Sequence, residues 1–163
     1  MNVREYTKEL HHACEQHPVG NSFSKGNPPE LWYAKWIKAL HQIHSKIDAH
    51  SDPILERVPR LEEDLNSYNF TVKPLKAAEK YVNALTNESA INGAIYVLTG
   101  AHLMGGELMR KRMVGYPTKH LEWDNRKNAI DILCKLRELE GIGDDARNCF
   151  LALLEIMDEI EQN

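Results

Sequence analysis

Apolar residues recur every three or four positions along almost the whole chain, and nowhere do they alternate long enough to form one face of a sheet. A 3.6-residue period puts such positions on one side of a helix, so the pattern predicts an all-α fold. Val3, Tyr6, Leu10, Ala13 and Cys14 share one side of a first helix, Val3–Gln16. His17-Pro18 stops it, because a residue before proline is pushed out of the helical region. Residues 19–27, with Gly20 and Gly26, read as a connecting loop anchored inward by Phe23. Pro28-Pro29 then open a second helix in first-turn positions that tolerate proline, with Leu31, Trp32, Trp36, Ile37, Leu40, Ile43 and Ile47 as its apolar positions.

Further along, Asp52-Pro53 and Pro59 cut out two short helices, the second over residues 60–66. Lys73-Pro74 begin another, which turns Leu75, Ala78, Val82 and Leu85 inward. Asn87 caps a long helix over residues 88–113 that contains Gly105-Gly106, and Gly115-Tyr116-Pro117 breaks the chain after it. A helix over residues 121–139 ends at Gly141-Ile142-Gly143. Asp144 caps the last helix, whose apolar positions are Phe150, Leu151, Leu154, Met157 and Ile160. No repeat or linker divides the chain, so residues 1–163 read as one domain. A chain of this length buries roughly 70% of its unfolded surface and needs no disulfide staples.

Twenty Lys and Arg against twenty-four Asp and Glu give a formal charge of −4, which excludes a general electrostatic grip on nucleic acid. The longest apolar stretch, residues 90–104, is interrupted by Asn92, Gly93, Thr99 and His102 and falls short of the ~20 residues of a membrane span. The N-terminus is charged from Arg4 onward and lacks the apolar segment of a secretory signal. Cys14, Cys134 and Cys149 form neither an even disulfide set nor a CxxC pair. The expected location is the cytoplasm.

Histidine is the unusual count, at eight. His11 and Glu15, four apart, lie on one helix face, where a carboxylate holds an imidazole in one tautomer and makes it a better metal ligand. The same spacing also describes a solvated pair with no further role. Arg4 and Lys8 share roughly that face and form either a plain basic edge or a contact for acidic groups of a bound cofactor. His41 and His44 read as a surface pair, and His17, His50 and His120 as structural or solvated. Each glycine of the Gly105-Gly106 doublet costs about 1 kcal/mol against alanine in a helix, so the pair calls for a reason. That reason is either close packing on a neighbouring helix or the approach of a large flat ligand. His102 lies on the same face and by itself reads as a core or boundary histidine.

Taken together, these segments resemble the haem oxygenase family. TKELHHACEQHPVGNSFSKG (residues 7–26) is similar to that family's opening helix and loop, YVLTGAHLMGGELM (residues 96–109) to its distal helix, and DARNCFLALLEIMDEIE (residues 145–161) to its closing helix. The resemblance implies a single-domain helical bundle with haem b, both cofactor and substrate, between the first helix and a distal helix kinked at the glycine pair. It makes His11 the axial iron ligand, Glu15 the acid that orients it, and Arg4, Lys8, Tyr96 and Arg126 the propionate contacts. Gly105 and Gly106 become the distal hinge, which steers attack to one meso carbon. It implies cleavage of haem to biliverdin, carbon monoxide and ferrous iron, using dioxygen and electrons from a separate donor such as a ferredoxin or a flavin reductase. Arg110, Lys111 and Arg112, with Arg4 and Lys8, offer such a donor a basic surface. His102 stands where many members carry an aspartate, and is expected in the distal pocket as a catalytic residue. If it bound the iron firmly, the protein would hold haem without degrading it.

Overall fold

The structure, a computed structural model, describes residues 2–162, and among them are helices, turns and no strand. In chain order the helices are α1 (Val3–Gln16), α2 (Pro18–Lys25), α3 (Glu30–Ile47), α4 (Val58–Asn66), α5 (Lys76–Ala84) and α6 (Glu88–Gly100). A π-turn (Ala101–Gly105) joins α6 to α7 (Gly106–Arg112), and α8 (Arg126–Arg137) and α9 (Ile142–Gln162) complete the chain. Asparagines start three of these helices. The side-chain oxygens of Asn2, Asn87 and Asn125 accept the backbone N–H of Arg4, Ala90 and Asn128. Each such cap stabilises a helix by about 1 kcal/mol.

α9 is the spine of the bundle, and α1, α5 and α6 pack along it. Its buried side, Cys149, Leu153, Ile156, Met157 and Ile160, belongs to one continuous apolar core with Tyr33, Ile37, Leu40, Ile43 and Ile47 of α3. Gly93 lets α6 lie close on α9, because a Cβ there would collide with the Asp145 Cβ and backbone. α1 and the α6–α7 rod are therefore both referenced to one helix. Their far ends are tied through α2, since Arg112 donates to the Ser24 carbonyl at 2.7 Å and Gly26, at φ 76°, sits against the Arg112 backbone. Among the described residues no helix is long and apolar enough to cross a membrane.

Several expectations give way. Residues 19–27 are not a loop, because Pro18–Lys25 form α2 and bury Val19, Gly20 and Phe23. Gly20 is a packing glycine, since a Cβ on it would collide with the Cys14 carbonyl. The expected helix over 121–139 begins only at Arg126, after a short 3-10 turn (Lys119–Leu121) and the Asn125 cap. The last helix starts at Ile142, two residues before Asp144, where Gly141 at φ 80° ends the preceding turn. Leu31 and Leu151 face solvent, as does Tyr6, whose hydroxyl donates to Asp144 at 2.5 Å. The long helix over 88–113 is broken by the π-turn.

Candidate functional site

The i, i+4 geometry of α1 brings His11 Nε2 to 3.0 Å from Glu15 Oε1, with the two side chains 62% and 56% exposed. A nitrogen that donates to a carboxylate leaves the other ring nitrogen its lone pair, the form in which imidazole binds metals. The His11 ring stacks on Phe150 of α9 at 5.6 Å and 26°, which adds an apolar wall beside it. Arg4 and Lys8 are exposed, two turns and one turn before His11. An exposed polar pair of this kind adds little to stability.

The two glycines of the doublet do different things. A Cβ on Gly106 would stand 3.1 Å from Leu121 Cδ2, so Gly106 is a packing glycine. A Cβ on Gly105 would meet nothing within 4 Å, and its φ of −86° is open to any residue. Gly100 also faces open space. Neither packing nor backbone conformation asks for glycine at 105, although it weakens a helix. Gly105 lies in an exposed, largely apolar strip with Ala101, Met104 and Leu108, the last two 57% and 52% exposed. A bare backbone between apolar side chains admits the close approach of a flat apolar ligand. π-turns of this kind occur frequently at functional sites.

Behind the strip lies a polar cluster that the spacing of residues did not disclose. His102, in the π-turn, is 4% exposed and turned into the bundle, its Nε2 3.2 Å from Nε2 of His44 on α3. His44 Nδ1 donates to Asp48 at 2.8 Å, and Asp48 also accepts the backbone N–H of Arg57 and Val58, each at 2.8 Å. With its Nδ1 donating, neutral His44 accepts at Nε2, so His102 is the donor between them. His120 packs edge-on against the His102 ring, and its Nδ1 donates to Asp64 at 2.6 Å. His44 is therefore no surface partner of His41, which instead lies near Glu62 on α4.

Burial disfavours the imidazolium, and it lowers the pKa of His44 despite the opposing pull of Asp48. His102 is pushed well below the usual 6.5, first by burial and then by His44, His120 and Arg57. Burial alone would raise the Asp48 carboxyl, but the bond from His44 and the two backbone N–H groups outweigh it and hold it low. Arg57, drawn down to about 10 by burial and by Arg60, stays charged and lies 3.7 Å over the Trp123 ring.

The remaining candidates fall into place around the turn. Trp123 Nε1 donates to the His102 carbonyl at 3.3 Å and Arg126 to the Leu103 carbonyl at 2.8 Å. Arg126 also lies 3.7 Å from Glu107, so its guanidinium is engaged with the distal rod. The Tyr96 hydroxyl accepts from Arg137 Nε at 3.4 Å. Arg110, Lys111 and Arg112 are all exposed, and Arg112 is also the tie to Ser24. Burial and then Glu15 push the Cys14 thiol up to about 12, which leaves it no nucleophilic role. Among the described residues no group of three His, Cys, Asp or Glu side chains is placed to hold a metal ion.

The "Heme oxygenase" family profile matches residues 1–148. Heme oxygenase-1 from the cyanobacterium Synechocystis sp. PCC6803, in complex with heme, superposes with a TM-score of 0.85 at 21% identity, over 99% of this chain and 91% of that one. Heme oxygenase from Leptospira interrogans gives 0.82 at 21%, over 98% and 100%, and heme oxygenase-2 from the same Synechocystis, in complex with heme and NO, gives 0.81 at 20%, over 99% and 84%. No curated protein sequence matches the chain. At these identities the structural likeness speaks for the fold.

Proposed function

Since the chain belongs to the haem oxygenase family, we propose that it binds haem between the His11 face of α1 and the open strip of the distal rod, and degrades it with dioxygen and externally supplied electrons to biliverdin, carbon monoxide, water and ferrous iron. The observation that carries this is Gly105, a glycine kept in a helical rod where neither packing nor φ requires it, on a strip bare enough to take a flat ring. The other parts suit the same ligand. A lone exposed imidazole fits an iron that arrives with four donors of its own, and two heme oxygenases of this fold are described in complex with heme.

In this reading His11 ligates the iron and Glu15 fixes the orientation of the ring. Arg4 and Lys8 meet the propionates, joined by Tyr96. Arg126, engaged with the Leu103 carbonyl and Glu107, serves that edge only if its guanidinium leaves one of them. Haem, when bound, supplies the redox iron and the ring to be cleaved; the protein supplies ligation, orientation and exclusion of water. Met104 and Leu108 cover the ring while the Gly105 backbone sets which edge lies nearest the distal rod. Electrons come from a separate donor, a ferredoxin or flavin reductase, for which exposed Arg110 and Lys111 provide complementary charge.

The rival reading, a haem carrier with His102 as second axial ligand, requires the His102 ring to leave His44 and swing out of the core to the opposite side of the rod. The buried contact with His44 weighs against it. The test is hemin with ascorbate or a reducing partner, followed by chromatography of the tetrapyrrole. Loss of the Soret band with biliverdin as product is expected, and persistent low-spin haem would overturn the enzyme in favour of the carrier.

A further inference from the structure

A π-turn gives up the regular hydrogen-bond ladder of a helix to admit one extra residue, so it persists only where neighbours hold it. Here the neighbours are known. Trp123 and Arg126 take the His102 and Leu103 carbonyls and pin the backbone from the α8 side. From the α3 side the hold is on a side chain, through the bond between His102 and His44. His44 is itself fixed at its other nitrogen by Asp48, and Asp48 by the N–H groups at the start of α4. A chain of directed bonds thus runs from the first turn of α4, through α3, to the residue that opens the distal bulge.

Filling this space with an imidazole pair is an expensive choice. Two apolar side chains of the same volume would avoid the desolvation of polar groups. What the polar pair adds is direction, since the bond exists in one geometry only. Direction matters here because the outer side of the turn has nothing to locate it, with open space over both Gly100 and Gly105. If the extra residue were absorbed into a regular helix, everything beyond it would rotate by about 100° relative to α6, and Gly105 would leave the strip.

We propose that His44, oriented by Asp48, is a positioning residue of the distal face, holding His102 inward so that the π-turn keeps the Gly105 backbone on the open strip. This rests on the haem oxygenase reading for its consequence in catalysis, though not for its consequence in the free protein. Neither His44 nor Asp48 reaches the strip, so both act through the turn.

Two variants test it. His44→Phe keeps an aromatic ring, slightly larger, and removes the acceptor, whereas His44→Gln keeps an acceptor near the Nε2 position. In the haem-free protein, amide exchange over residues 101–106 should quicken by about tenfold in His44→Phe, the loss of roughly one buried hydrogen bond, and return toward wild type in His44→Gln. Exchange in the middle of α9 should not move in either. With hemin, the dissociation constant should stay within about threefold, because the His11 face is untouched, while the rate of biliverdin formation falls on the order of tenfold in the Phe variant and recovers in the Gln variant. Unchanged exchange at 101–106 in His44→Phe would overturn the proposal, as would a Gln variant as impaired as Phe or a quickening spread evenly through α9. If wild-type protein bound no hemin, the functional reading would fail while the exchange result still decided the positioning role.

Discussion

The two faces assigned to the haem are built in opposite ways. On α1 the important pair, His11 and Glu15, is local in sequence, exposed, and independent of the core. On the distal side the outward strip is bare, and its shape is set from behind by buried groups drawn from α3, α4 and the turn before α8, with half-buried Arg126 of α8. The proximal face supplies a ligand and tolerates change, whereas the distal face supplies a shape that the fold must maintain. The contrast teaches that stability and function separate on α1 and are fused at the π-turn.

The sharpest way to break this contrast is to remove one acid from each region. Asp64 is wholly buried and takes three bonds, from the backbone N–H of Lys119 and His120 and from His120 Nδ1. Asp64→Ala should cost about 3–5 kcal/mol in urea unfolding, as breaking a buried pair does. Glu15→Ala should cost under about 1 kcal/mol. Comparable losses would erase the distinction between the faces.

The glycine doublet sharpens it within the distal rod. Gly105→Ala gains helix propensity at no steric cost, so it should stabilise the haem-free protein by about 0.5–1 kcal/mol. The same change should slow haem turnover on the order of tenfold or more by keeping the ring off the backbone. Gly106→Ala must push Leu121 aside by a few tenths of an ångström, so it should give no such gain. Thermal melts beside turnover rates separate the pair, and a Gly105→Ala protein that is both stabler and fully active would show that nothing approaches position 105.

The smallest effect is the pH dependence. His44 and His102 both have pKa values lowered in the folded state, so as pH falls the unfolded chain takes up their protons first. Their stabilisation is complete above about pH 6.5 and is lost progressively below it. The urea midpoint should fall between about pH 7 and pH 5.5, and should fall less in a protein carrying both His44→Phe and His102→Phe. An identical decline in the two proteins would place the titrating groups elsewhere.

How far the sequence disclosed all this follows from the same contrast between local and distant. The start of α1, the asparagine cap of α6 and the His11–Glu15 pair all rest on residues within one or two turns of each other, and spacing is enough to read them. α2 is not legible in the sequence, because eight residues offer little periodicity and Gly20, which packs on the Cys14 carbonyl, reads as a loop glycine without that contact. The His44–His102–His120 cluster joins positions 58 and 18 residues apart, which no periodicity relates. One of its signals was nonetheless present, since His44 and Asp48 repeat the i, i+4 spacing of His11 and Glu15. The division of labour between Gly105 and Gly106 depends on Leu121, a contact made only in three dimensions.

The most direct measurement is a hemin titration of wild-type and His11→Ala protein, followed by the Soret and ligand-field bands of the ferric complex and by thermal melting. With His11 as the axial ligand, the variant keeps its melting temperature, because the side chain is exposed, and loses the histidine-ligated spectrum, which added imidazole restores. A variant that takes up hemin with the same affinity and the same axial spectrum as wild type would contradict the assignment of His11.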